Sequence, residues 1–136
     1  MPLKHAKHNQ AVCLFLKSNT DYNDWIITTA YYSAIYFIYH ALFPDKYEDP
    51  ISGDIKSFNS WEKYCHRLPV NNNNKHKATE NLVSEHFPEI YREFKILKDN
   101  CWTARYDKYI VVDSIMEECV KGLSTIAEFC ENHKMN

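Results

Sequence analysis

Apolar positions return along this chain every third or fourth residue, in blocks separated by polar runs, which is the signature of packed helices. A first helix is predicted over Ala6 to Lys17, where Ala11, Val12, Cys13, Leu14, Phe15 and Leu16 are the apolar positions and Ser18, Asn19, Thr20 and Asp21 form the exit. Asp21 or Asn23 stands where it can cap the next segment. From Trp25 to Phe43 there is no Asp, Glu, Lys or Arg. Ile27, Tyr31, Ala34, Ile38 and Leu42 trace one face of that helix, and Tyr32, Tyr36, Tyr39 and Phe43 trace another. A helix without a polar face has to be covered on two sides, so it belongs at the centre of a bundle or at a subunit interface. Ala30 and Ala34, one turn apart, let a neighbouring backbone come close, and Pro44 stops the helix because its ring cannot continue the ladder.

Residues Pro44 to Asn74 contain Pro50, Gly53, Pro69 and the tract Asn71 to Asn74, with a short helix predicted from Ser57 to His66. A connection of that length is usually functional or an interaction element. Helical pattern returns at Lys75 with Leu82 and Val83, pauses near Phe87 and restarts after Pro88, a residue suited to a helix first turn. Ile90, Phe94 and Leu97 carry it to Trp102. The last helix begins at Asp113 or Ser114, with Ser114 and Glu117 spaced as a capping box and Met116, Cys119, Leu123, Ile126 and Cys130 on one buried face. No stretch alternates as a strand does. The predicted fold is therefore all-α: one domain over 1–136, an up-and-down bundle of four or five helices with a long inserted loop, 44–74, between the second and third long ones.

Composition narrows the function classes. Sixteen Lys and Arg against eighteen Asp and Glu give a formal charge of -2, so the global positive field that drives non-specific nucleic-acid binding is missing and any RNA contact has to be local. The two glycines, Gly53 and Gly122, lie far apart, which excludes glycine-rich phosphate loops. Five cysteines without a C-x-x-C pair argue against a disulfide framework or a zinc knuckle and for reduced, buried thiols. The uncharged Trp25–Phe43 stretch is tested as a membrane span and fails, because its hydroxyls and His40 fall on every face. Ala11 to Leu16 is too short for a secretory core. The expected location is cytoplasmic, with no membrane partner.

Seven histidines raise the question of a metal or general-base site. His5 and His8 sit beside Lys4 and Lys7, whose charge repels a cation, so a solvated basic face is favoured and no metal or other cofactor is expected. His40 reads as a satisfied core histidine and His133 as part of a fraying terminus. Cys119 and Cys130 fall on a packed face, while Cys101, near Lys98 and Arg105 in sequence, is the one candidate for a reactive thiol. Glu117 and Glu118 point apart on their helix. In the segment Tyr91 to Tyr109, the residues Tyr91, Leu97, Trp102, Ala104, Tyr106 and Tyr109 crowd around Arg105, one of only three arginines. A planar guanidinium among tyrosines suits either phosphate binding with base stacking or a buried clamp on helix carbonyls, and sequence physics alone favours the clamp.

Three stretches resemble the HEPN superfamily of helical domains. Trp25 to Leu42 is similar to its second helix, with an aromatic pair and a small residue before a further aromatic; Lys75 and His76 resemble the Lys/Ser-His that opens its third; Leu97 to Tyr106 resembles the Leu then Ala-Arg-Tyr run before its last. The likeness spans Asp24 to the C-terminus and leaves 44–74 unmatched. It implies a helical bundle, commonly a homodimer through its central helices, with a nucleotide or RNA site near the seam. In ribonuclease members that site is an R-x4-6-H motif working without metal. Arg105 matches its arginine, but Ile110, Val111 and Val112 stand where histidine is required and none transfers a proton. Tyr109 and Asp107 are the local substitutes, and a free phenol near pH 10 is a poor base.

The expectation is a HEPN-like homodimer that binds RNA or nucleotide through Arg105, Tyr106, Tyr109 and His76, has lost nuclease activity and serves as an accessory module in a defence or stress system. The resemblance implies an antitoxin or nucleotidyltransferase as protein partner. Two alternatives stand beside it: an active metal-independent ribonuclease with Arg105 and Tyr109, or with a histidine from elsewhere such as His76, as its catalytic groups; and a purely structural dimerisation module.

Overall fold

The computed structural model describes residues 2–42, 46–48, 55–57, 75–106 and 111–135, with backbone alone at 46–48 and 55–57. The described helices are α1 (Pro2–Asn19), α2 (Asn23–Leu42), α3 (Lys75–His86), α4 (Tyr91–Tyr106) and α5 (Asp113–Met135), with a 3-10 turn at Pro88–Ile90 between α3 and α4. The protein is an all-α bundle. One continuous core threads all of them, from Ala6 and Cys13 through Ile26, Leu82 and Phe94 to Leu123. Inside the insertion two three-residue strands, β1 (Lys46–Glu48) and β2 (Ile55–Ser57), pair antiparallel with Tyr47 opposite Lys56. Alternation does not reveal this ribbon because three residues are less than two repeats of the strand period. Ser57 is therefore in a strand. The remainder of the helix predicted for Ser57–His66, the Asn tract and the Pro44 stop lie outside the described residues.

Helix α2 is the central element, and its covering comes from within the chain. Ile27, Tyr31, Ala34, Ile38 and Leu42 are all buried, while on the second traced face Tyr39 is buried and Tyr32 and Tyr36 are half-buried. α1, α5 and α4 pack around it. α1 lies close against α2: Ser33 Oγ donates to the Ala6 carbonyl at 2.7 Å, and Cys13 Sγ to the Ile26 carbonyl at 3.4 Å. The hydroxyls of Thr28 and Thr29 bond back to the carbonyls of Asp24 and Trp25 at 2.8 and 2.9 Å, which removes their need for an outside partner. The apolar character of α2 thus carries no argument for a second subunit. Among the described residues no helix is long and apolar enough to cross a membrane.

Three local expectations change. In α1 only Ala6 and Cys13 are buried, Leu3 and Leu16 pack partly against the core, and Leu14 and Phe15 are 48% and 64% exposed. Asn23 is not a cap. The Ile26 N–H bonds to the Tyr22 carbonyl, which puts Asn23 inside α2, and its side-chain amide donates to the Val111 carbonyl and to Asp113 Oδ1, both at 2.8 Å. α5 starts at Asp113, one of the two expected starts, but with the Met116 N–H on the Val112 carbonyl Ser114 is too deep in the helix to form the expected capping box.

Candidate functional site

Spacing on α4 determines what its two sides do. Phe94, Leu97, Cys101 and Ala104 are buried in the bundle. Lys98, Trp102 and Arg105, four and then three residues apart, share the adjoining face and line a cavity of about 460 Å³. α2 supplies Tyr31 and Tyr32 from across the cavity, and His76 enters from the first turn of α3. Asp99, Cys101 and Thr103 complete the lining.

The wall from α2 is a run of rings. Tyr31 is 3% exposed, and its centroid lies 5.6 Å from Tyr32, 5.7 Å from His76 and 5.8 Å from Phe94, so one phenol joins core and cavity. Its hydroxyl is 3.0 Å from His76 Nδ1. Burial pushes the Tyr31 phenol far above its ordinary range, keeping it protonated. With the phenol donating to Nδ1, Nε2 of a neutral His76 carries the proton; with Nδ1–H donating, Nε2 is left as a base. Partial burial, then the positive charges of Lys98 and Arg105, hold the His76 pKa below 6.5. Arg105 Nη1 donates to Tyr32 Oη at 3.1 Å. The guanidinium is exposed at the cavity wall, so the clamp buried among helix carbonyls, favoured on sequence physics, gives way to a residue facing solvent and a phenol.

Behind Lys98 lies Glu80, a buried carboxylate of α3 with 2% exposure. It accepts from Tyr91 Oη at 3.1 Å and from Lys98 Nζ at 3.3 Å, with Lys77 and Lys95 at 3.3 and 3.5 Å. Burial raises its pKa, but the hydrogen bonds from Tyr91, Lys98 and Lys77 and the charge of Lys98 outweigh it and bring the carboxyl down to about 2.

Of the residues expected at the site, the structure brings Arg105 and His76 to one cavity. Tyr106 lies in the last turn of α4, and its side chain falls outside what is described; Tyr109, Asp107 and Ile110 lie outside the described residues. Cys101 lines the cavity but is 4% exposed, and burial pushes its pKa up, so it is a protonated thiol and not a nucleophile. Cys119 and Cys130 are pushed up to about 12 by burial. His5 stacks on Tyr36 at 5.1 Å, and among the described residues no group of His, Cys, Asp or Glu is arranged to hold a metal ion. Lys98, Tyr31 and Tyr32 were missed as site residues. The spacing of Lys98, Trp102 and Arg105 on one helical face was the available signal for the lysine; nothing local marks the tyrosines.

The lining can do two things chemically. Lys98, Arg105 and a protonated His76 attract an anion, and Arg105 offers the planar fork that matches phosphate oxygens. Trp102, 64% exposed beside them, offers a flat face on which a base can stack. Comparison of the chain with protein-family models, with curated proteins and with solved structures found no match.

Proposed function

We propose that this chain is a nucleotide- or RNA-binding module whose ligand places a phosphate against Arg105, Lys98 and His76 and a base on Trp102. The observation that carries the reading is the convergence of those cationic and aromatic side chains, from α3 and α4, on one cavity whose far wall is the α2 tyrosines. Its volume of about 460 Å³ falls within the range of small-molecule sites, roughly 300 to 1,000 Å³. The overall charge is -2, so affinity has to come from this local cluster. The sequence likeness to HEPN domains supports the same reading, which takes the chain as a cytoplasmic accessory module. Pairing as a homodimer, within that proposal, rests on the exposed Tyr22, Trp25, Val112 and Ile115 at the end where α2 and α5 begin. The test is titration of a fluorescent oligoribonucleotide. Replacing Arg105 with Ala is expected to weaken binding at least about tenfold, the worth of one charge-assisted hydrogen bond; unchanged affinity overturns the reading.

A second reading is favoured by one contact. His76, steadied by Tyr31 at 3.0 Å in the cavity that Arg105 lines, is the histidine that the sequence around Arg105 lacks. This reading gives it the role of acid or base in a metal-independent ribonuclease, beside a phosphate-holding arginine. RNA cleavage in EDTA that disappears in both His76→Ala and Arg105→Ala establishes this reading; its absence in the wild type leaves the binding module.

A further inference from the structure

Lys98 differs from the two other lysines that meet Glu80. Side-chain exposure is 59% for Lys77 and 47% for Lys95, against 25% for Lys98, and of the three only Lys98 lines the cavity. A lysine stem has several rotors, and an ammonium that strays from the wall contributes little to holding an anion. Here its position is fixed from behind. Glu80 Oε1 is oriented by the Tyr91 hydroxyl at 3.1 Å, with Lys95 at 3.5 Å, which leaves Oε2 to Lys98 and to the more exposed Lys77, both at 3.3 Å. On charge alone this carboxylate opposes an anion in the cavity. Its geometry argues the reverse.

Building on the phosphate-pocket reading, we propose that Glu80 is a positioning residue for the site: its buried carboxylate holds the Lys98 ammonium at the cavity wall, so that removing its negative charge weakens anion binding instead of strengthening it. Lys98 also acts on its neighbour across the cavity. After partial burial, its charge and that of Arg105 lower the basicity of His76. Of the other groups around the cavity, Asp99, Tyr31, Tyr32 and Cys101, the Tyr31 phenol also feels the Glu80 charge; losing a carboxylate by itself lowers a neighbouring pKa, so a rise at His76 reports the release of Lys98.

The experiment titrates a short fluorescent oligouridylate into the full chain and its Glu80→Gln, Glu80→Asp and Arg105→Ala variants, and follows His76 by NMR across pH. In Glu80→Gln a released Lys98 is expected to weaken binding about five- to tenfold, the worth of a charged contact, and to let the His76 pKa rise. Glu80→Asp keeps the charge but draws the carboxylate back by one methylene, and is expected to weaken binding in the same direction. Equal or tighter binding in Glu80→Gln, or a His76 titration that does not rise, overturns the proposal; should that variant fail to fold, unchanged affinity in Glu80→Asp does so. If Arg105→Ala binds like the wild type, the pocket reading falls and this inference with it. If Arg105→Ala weakens binding and the Glu80 variants do not, only the positioning role falls.

Discussion

Glu80 shows how far a single buried carboxylate depends on its donors. Its carboxyl ionises at about 2 in the folded protein against an ordinary 4.5, so the unfolded chain binds the proton more readily. The resulting stabilisation is complete above pH 4.5 and is lost as pH falls through about 2; by linkage it amounts to roughly 3 kcal/mol. Acid unfolding followed by circular dichroism is expected to steepen across that window in the wild type and to flatten in Glu80→Gln. His76 gives the opposite kind of dependence, in binding. Its pKa is held below 6.5 by partial burial, Lys98 and Arg105, and a bound phosphate favours its charged form. Affinity for an oligoribonucleotide is therefore expected to rise as pH is lowered below 6.5, and in His76→Ala to lose that slope. At this scale the sequence was legible where residue type is scarce: Arg105 stood out as one of three arginines. Lys98 was one lysine among many, and the tyrosines of α2 read as packing, because nothing in a local window says which buried ring looks into a cavity formed by residues 45 or 73 positions away.

Among the elements, α5 carries the clearest untapped stability. Gly122 lies buried in mid-helix, and a Cβ added there meets Glu93 Cβ at 3.6 Å, an ordinary contact. Gly122→Ala is expected to stabilise the protein by about 0.5 to 1 kcal/mol through helix propensity, read as a higher urea midpoint with an unchanged slope. Asn23 does the reverse service for α2, tying its start to that of α5 through two 2.8 Å hydrogen bonds. Asn23→Ala is expected to cost about 1 to 3 kcal/mol, since it removes two part-buried hydrogen bonds, one of them to a carboxylate. All five described helices lie where the sequence showed helical pattern: α3, α4 and α5 from apolar positions three and four apart, α2 from its uncharged length and α1 from a contiguous apolar run. Their ends were less legible. Asn23 and Ser114 have the side chains of caps, yet both lie within helices, and Asn23 is engaged by a segment 88 residues away. α1 shows another limit: Leu14 and Phe15 extend its apolar run but face outward, since local hydrophobicity does not say which residues the neighbouring helix covers.

For the molecule as a whole, the structure changes what α2 implies. An uncharged helix needs two coats, and one chain supplies both, so the proposed pairing is to be tested on the exposed apolar side chains where α2 and α5 begin. Sedimentation of the wild type against Trp25→Ser measures this directly: a dimer that the substitution dissociates supports pairing through that end. A ligand held by α2, α3 and α4 together also recognises only the assembled bundle, and so raises the melting temperature as its concentration grows. Phe94 connects the two properties. It is wholly buried behind Tyr31, with ring centroids 5.8 Å apart, and Phe94→Ala is expected to cost about 3 to 5 kcal/mol. It also removes the backing of the cavity wall. Because a single phenol serves as keystone of the interior and floor of the recess, any change that reshapes the recess at that point registers as a change in heat tolerance, and selection for a different ligand there has to pass through variants that are also less robust.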